Sequence, residues 1–170
     1  WRTIPWDFDV GLGVFYDPGD APLFPDGIDP TIQRMYNHPA FVRAYWRELE
    51  FGANRIFPNP AITRILSSKH DAYRTNGLGF TSPFVPSGAY GLSIPDWISA
   101  RRAFLQGQLA TVAASFAILS PANFSTNRNV ALITGTAPVG VKTILVNGVA
   151  YPIAWATTTR WTLQVPLPAG

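Results

Sequence analysis

The chain has 170 residues, of which 47% are hydrophobic, 14% aromatic and 14% charged, and it contains no cysteine. This composition excludes a disordered chain, a disulfide framework, a thiolate metal site and a thiol nucleophile, and the length predicts one domain or one domain and part of another. The formal charge is +3, but all acidic residues lie at or before Asp96. After Leu119 the only charged residues are Arg128, Lys142 and Arg160.

This change in charge predicts two modules with a boundary near residue 118. Three scattered cations are too few to follow a phosphate backbone, so we expect no nucleic-acid partner. No run of about 18 apolar residues is present, so we expect no membrane span. The charged fraction is below the roughly 25% of ordinary soluble domains, and the chain begins at Trp1 without an initiating Met. We therefore expect a piece of a longer exported protein, extracellular or in the cell envelope, with a signal peptide upstream.

The chain opens with alternating aromatic and acidic residues that predict a short strand running into a glycine-bearing turn. Asp29 and Pro30 then form an N-cap and first-turn pair that predicts a helix to about Tyr36. A second helix is predicted to begin at Pro39 and to end before Gly52. Its predicted inward side chains are Phe41, Val42, Tyr45, Trp46 and Leu49. The side chains predicted to face solvent are Arg43, Arg47, Glu48 and Glu50.

Two more helices follow in the first module. The third is predicted from Pro60 to about Tyr73 and ends at the turn residues Asn76 and Gly77. Its predicted inward side chains are Ile62, Ile65, Leu66 and Tyr73. A loop rich in Gly, Ser and Pro separates it from the fourth helix, which is predicted to open around residues 93–96. This helix carries Trp97, Ile98, Arg101, Phe104, Leu105 and Leu109.

The sequence pattern of the second module predicts an antiparallel β structure. Strands are predicted at residues 132–138, 154–155 and 161–167, and residues 143–151 predict a hairpin with Asn147 and Gly148 at its tip. That makes roughly four strands, whereas an immunoglobulin-like sandwich usually needs about seven. The predicted fold class is therefore α+β: a mainly helical part over residues 1–118, followed by an incomplete antiparallel β-sandwich over residues 119–170.

Asp7 and Asp9 form the acidic pair with the most site-like setting. Two carboxylates two positions apart on an extended strand point to the same face. Between aromatic residues and near glycines, they could hold Mg²⁺ together with substrate phosphates, because magnesium prefers hard oxygen ligands. In the alternative interpretation, the same carboxylates cap turns or pair with arginines.

Residues 5–13, which read Pro5-Trp6-Asp7-Phe8-Asp9-Val10-Gly11-Leu12-Gly13, resemble the "PWD-x-D…-G" signature of CotH-type kinases, a family of atypical secreted protein kinases. Two helices that resemble those of this family follow in order. One carries Pro39-Ala40-Phe41 and Tyr45-Trp46-Arg47, and the other carries Trp97-Ile98, Arg101-Arg102 and Leu105. This resemblance covers roughly residues 1–118. Residues 119–170 resemble the bacterial immunoglobulin-like domains that often follow such kinase domains.

The resemblance implies an ATP-dependent phosphotransferase with a kinase-like two-lobed fold, of which this chain is part of the C-lobe. By this resemblance Asp7 is the metal-binding aspartate and Asp9 a second ligand or support, and Mg²⁺ or Mn²⁺ with ATP are the implied cofactors. The metal would bridge the phosphates and neutralise charge on the transferred group. The implied partner is a secreted or cell-surface protein substrate.

The chain also departs from the family pattern. It has no Gly-rich loop, no nucleotide-binding lysine on an early strand and no catalytic-loop aspartate before Asp7, and Lys69 falls on a predicted helix. We therefore expect the chain by itself not to phosphorylate any substrate. The alternatives are a catalytically inert surface or adhesion protein whose β module binds glycan or protein, and a metal-dependent hydrolase. The hydrolase would use Asp7 and Asp9 with a histidine or a third acid nearby.

The remaining candidates have ordinary structural interpretations. His38 lies at a helix start and His70 on a polar helix face, without a partner at metal-ligand spacing. Arg101 could reach a phosphate or an acidic peptide, but we expect it to pair with a carboxylate such as Asp7 or Asp9, and Arg102 to be solvated. Trp155 and Trp161 could form a carbohydrate platform but are more typical of a β-sandwich core. Open strand edges in the β module are a route to self-association.

Overall fold

The computed structural model describes residues 18–24, 29–78, 93–123 and 125–167. Over these residues the protein is an α+β structure with four α-helices, one π-helix and antiparallel sheets of four and two strands. The predicted α+β class is confirmed. None of the described helices is both long and apolar enough to cross a membrane.

The helices begin where local chemistry predicts. They are α1 (Pro30–Asn37), α2 (Pro39–Phe51), the π-helix (Gly52–Ile56), α3 (Pro60–Thr75) and α4 (Ile94–Thr111). The Asp29 carboxylate accepts a hydrogen bond from the Thr31 N–H at 2.7 Å, and the same contact lowers the pKa of Asp29. The Asn59 side chain accepts from the Ala61 N–H at 2.9 Å. These side chains satisfy backbone donors that a first helical turn leaves unpaired.

The strands form one main sheet and a separate ribbon. The strands are β1 (Ala117–Ile118), β2 (Val130–Thr136), β3 (Leu145–Val146), β4 (Val149–Ala150), β5 (Ile153–Trp155) and β6 (Arg160–Pro166). The main sheet has the order β1-β2-β6-β5, and every pairing in it is antiparallel. The β3–β4 ribbon is the predicted hairpin. Its tip residues Asn147 and Gly148 have φ values of 52° and 80°, the positive φ angles that a tight hairpin turn requires.

The core of the β structure is built on β6. Alternate side chains of this strand, Trp161, Leu163 and Val165, are buried, and Ala137 and Ile144 pack with them. The burial of Trp161 confirms its interpretation as a core residue. Phe116 stacks on the Trp161 ring with centroids 6.0 Å apart. The identity of this β structure as immunoglobulin-like stays a prediction.

Contacts group the chain into two compact units. Unit 1 comprises Trp1–Leu23 and Phe51–Gly107, and unit 2 comprises Phe24–Glu50 and Gln108–Gly170. Unit 2 therefore joins α1 and α2 to all six strands. The predicted module boundary between residues 118 and 119 stays a prediction.

Several side chains face the other way from the prediction. Arg43, predicted to face solvent, is 2% exposed, and His70, predicted on a polar face, is 8% exposed. Phe41, Ile65 and Tyr73, predicted to point inward, are half exposed. The helical period was correct in each case, but the buried face is set by tertiary partners that an apolar stripe alone does not identify.

Replacing Gly135 with alanine is expected to destabilise unit 2. Gly135 lies opposite Trp161 in the β2–β6 register, and an added Cβ would overlap both the Trp161 ring and the Ala117 carbonyl oxygen. Such overpacking costs about 1–3 kcal/mol or more. The free energy of unfolding, measured in urea by tryptophan fluorescence, should fall by that amount for Gly135→Ala.

Gly107→Ala is the matched control for this change. Gly107 lies in α4 with no atom within 4 Å of an added Cβ, so alanine there should leave stability unchanged or raise it by up to about 1 kcal/mol. Equal effects of the two substitutions would contradict the packing account of Gly135.

Candidate functional site

The predicted metal ligands Asp7 and Asp9 lie outside the described residues, so the carboxylate site stays a prediction. The first described residue is Pro18. Residues 18–24 are therefore the closest described part of the chain after that motif. Their contacts show how the sequence following the carboxylates is held in unit 1.

Helix α4 fixes this following segment through two contacts. The Arg101 guanidinium donates to the carbonyl oxygen of Gly19 at 3.3 Å and to that of Ala21. Gly19 is buried directly against the helix, where an added Cβ would lie 2.7 Å from the Ala100 Cβ. Glycine is therefore required where the backbone at residue 19 approaches α4. Arg101 holds this segment against the helix.

The neighbouring arginine anchors a different segment. Arg102 Nε donates to the carbonyl oxygen of Ala53 at 3.0 Å, and Ala53 is fully buried in the π-helix. The expectation that Arg102 is solvated is therefore wrong, because its side chain is partly buried and hydrogen-bonded. The expected pairing of Arg101 with Asp7 or Asp9 stays a prediction, since both carboxylates lie outside the described residues.

The two histidines lie in different environments. His38 is exposed and contacts the Phe41 ring edge-on, with centroids 5.3 Å apart. His70 is buried, its Nδ1 is 3.8 Å from the Asp71 carboxylate, and its Nε2 has no hydrogen-bond partner. Within residues 18–24, 29–78, 93–123 and 125–167, no group of three or more His, Asp or Glu side chains could hold a metal ion. The hydrolase alternative relies on Asp7 and Asp9, which lie outside the described residues, and it stays a prediction.

Arg43 is the feature of unit 2 that the sequence reading missed. Its guanidinium donates to the carbonyl oxygens of Thr158 at 2.6 Å, Val141 at 2.8 Å and Pro138. Its Cζ lies 3.4 Å from the centroid of the Trp155 ring. One buried cation therefore satisfies backbone acceptors from two loops and also contacts an aromatic face.

Burial lowers the pKa of Arg43 to about 10, because desolvation disfavours its charge. Arg47 acts in the same direction, whereas Glu50 opposes it. The group remains protonated at neutral pH, so its hydrogen bonds are charge-assisted. The only sequence signal for this role was helical spacing, since Arg43 and the buried Trp46 are three residues apart and share a helix face.

These contacts also bear on the predicted carbohydrate platform. Trp161 is 2% exposed and belongs to the core. Trp155 is partly exposed, but the Arg43 guanidinium covers one face of its ring. The pair therefore does not present two open aromatic faces to a sugar.

Comparison with protein families, with curated proteins and with solved structures finds no match to this chain.

Replacing Arg43 is expected to loosen unit 2. Arg43→Met keeps the apolar stem but removes every donor, which leaves three partly buried carbonyl oxygens without this partner. Each hydrogen bond to a charged group contributes about 1.5–3 kcal/mol, so urea denaturation should show a loss of at least about 3 kcal/mol. Arg34→Met, at an exposed position of α1, should change stability by less than about 0.5 kcal/mol. Similar losses in both variants would argue against the Arg43 network.

The two α4 arginines should protect different segments from hydrogen exchange. Arg101→Met is expected to speed amide exchange in residues 18–24, because Gly19 and Ala21 lose their donor. Arg102→Met should instead speed exchange near Ala53. Each variant is the other's control in exchange monitored by mass spectrometry. The same pattern in both variants, or no change in either, would contradict these assignments.

Proposed function

We propose that this chain is part of an exported bacterial CotH-like kinase that transfers phosphate from ATP to a secreted or envelope protein, with the metal-binding half of the site on this chain. The observation that carries the proposal is the run Pro5-Trp6-Asp7-Phe8-Asp9 followed by Gly11 and Gly13. Spaced carboxylates between aromatic residues suit a divalent cation that also binds phosphate oxygens.

Asp7 has the leading role in this proposal, as the carboxylate that binds Mg²⁺ or Mn²⁺, and Asp9 acts as a second ligand or support. The metal, when bound with ATP, supplies neutralisation of the charge that develops on the transferred phosphoryl group. The chain contributes no Gly-rich loop and no early-strand lysine. We therefore propose that it binds a metal–nucleotide complex through the metal and does not complete phosphoryl transfer alone.

The described part of unit 1 supports a positioned site. Gly19 and Ala21, which follow the motif by about a dozen residues, are held to α4 by Arg101. The same helix buries Trp97, Ile98 and Leu105, which are among the residues of its family-like pattern. A metal site needs ligands held by rigid elements, and the fixed segment at Gly19 and Ala21 provides such an element in the sequence after the motif.

A second candidate is a catalytically inert surface or adhesion protein in which the β structure binds a partner. Large apolar side chains of unit 2 favour it, because Ile118, Leu119, Leu132 and Leu145 are each more than half exposed. Exposed apolar side chains of this size are typical of interaction surfaces when they lie together. In both candidates the protein acts outside the cytoplasm.

Titration with MgCl₂ or MnCl₂, with and without ATP, tests the metal site by calorimetry. We expect saturable binding that Asp7→Asn weakens at least tenfold, since the substitution removes an anionic ligand without changing the size of the side chain. Asp20→Asn is the matched control, because Asp20 is exposed and carries the same charge. Absence of saturable binding, or equal weakening in both variants, would leave the kinase proposal without its site and favour the binding-protein candidate.

A further inference from the structure

Strand β2 has an edge that the sheet leaves partly open. In the β2–β6 ladder the Leu167 N–H donates to the Asn129 carbonyl oxygen at 2.8 Å, and the Ala137 N–H donates to that of Thr159 at 2.9 Å. Because an antiparallel ladder alternates, the odd-numbered residues of β2 direct their backbone groups to β6. The even-numbered residues, including Leu132, direct theirs to the opposite edge.

Strand β1 covers only one end of that opposite edge. The Leu119 N–H donates to the Thr134 carbonyl oxygen at 2.8 Å, and Ser120 Oγ accepts from the Thr134 N–H at 2.8 Å. The register that pairs Ile118 with Gly135 would place Pro121 opposite Leu132. Proline has no N–H to donate, and the pairing ends there.

Leu132 therefore presents free backbone groups at a sheet edge. Among the described contacts, neither its N–H nor its carbonyl oxygen has a partner across this edge, and its side chain is 56% exposed. An unpaired N–H and C=O beside an exposed apolar side chain is the arrangement to which an added strand binds.

A groove on the exposed face of β2 and β6, where Leu132 pairs with Gln164, adjoins this edge and adds polar groups suited to a peptide. It is lined by Asn127, Arg128, Asn129, Val130, Leu132 and Gln164. The side chains of Asn127, Arg128, Asn129 and Gln164 form no hydrogen bonds in the part of the chain that the structure describes. Amide groups that both donate and accept suit the backbone of an extended peptide, and a guanidinium suits a carboxylate.

We propose that the open edge of β2 at Val130–Leu132 binds an extended peptide segment by strand addition, with an acidic side chain of the peptide against Arg128. Charge decides this occupant over a second copy of the chain. Residues 119–170 contain three cations and no acid, so a second copy pairing through the same edge would offer Arg128 no carboxylate from its own β structure. The peptide site does not depend on the proposed kinase activity.

A peptide also suits the site better than a saccharide does. The amides and Arg128 would accept either ligand, but a sugar would leave the Leu132 N–H and carbonyl oxygen without a strand-like partner. The exposed Leu132 side chain likewise matches the apolar residues that alternate along an extended peptide.

The test is selection of a displayed library of linear ten-residue peptides on the full chain, followed by fluorescence anisotropy with one selected synthetic peptide. We expect selected sequences to alternate apolar residues and to carry an acidic residue. Arg128→Glu should reverse the preference to basic residues and weaken the original peptide at least tenfold. Arg128 is exposed, so this substitution leaves the core intact.

Leu132→Pro tests strand addition separately. It removes the edge N–H but no β2–β6 hydrogen bond, because the Leu132 N–H does not point to β6. Peptide binding by Leu132→Pro should therefore fall at least tenfold. The control variant Leu132→Val should bind the peptide as the unchanged chain does. The absence of selected peptides, no dependence on Arg128, or full binding by Leu132→Pro would each overturn the proposal. Arg128-dependent binding of oligosaccharides without peptide binding would replace it with a glycan site. Dimerisation that Leu132→Pro abolishes would replace it with self-association.

Discussion

The buried guanidinium of Arg43 is the interaction on which unit 2 depends. The loops that precede β3 and β6 have carbonyl oxygens that no strand pairs, and Arg43 donates to three of them. Trp155 adds an aromatic face for the same cation. A buried charge is costly without such partners. Helix α2 therefore needs the loop carbonyl oxygens to compensate the Arg43 charge, and the two loops need Arg43 as a hydrogen-bond donor. This mutual dependence explains how a unit with two-residue strands keeps its loops in place.

Local chemistry predicted most helix and strand positions. The starts at Pro30, Pro39 and Pro60 follow from proline's fixed φ, and Asp29 caps the first of them as its type suggests. The Asn147–Gly148 turn was equally predictable from the sequence, because few residues tolerate its positive φ angles. These elements are set by residues adjacent in the sequence, so the local sequence was sufficient to predict them.

Tertiary partners set the features that the sequence did not predict. Arg43 is a solvent-facing residue by type, and only distant carbonyls make its burial favourable. The π-helix at Gly52–Ile56 and the short strand β1 have no distinctive local signal. At the candidate site, the spacing of Asp7 and Asp9 could be recognised from the sequence. The attachment of Gly19 to α4 could not be predicted from it. A glycine in a turn-rich segment does not reveal the helix it will approach.

The division of unit 2 into Phe24–Glu50 and Gln108–Gly170 has a consequence for how the chain folds during synthesis. Arg43 and its acceptor Thr158 are 115 residues apart, so the ribosome makes the cation long before its last acceptor. Contacts of such long separation require closure of a large loop before they contribute stability. Helix α2 must therefore wait without the acceptors of Arg43 while Phe51–Gly107, the larger segment of unit 1, is translated. During this interval the buried face of α2 lacks the loops that satisfy Arg43, and incompletely packed segments of this kind are where nascent chains are prone to misfold.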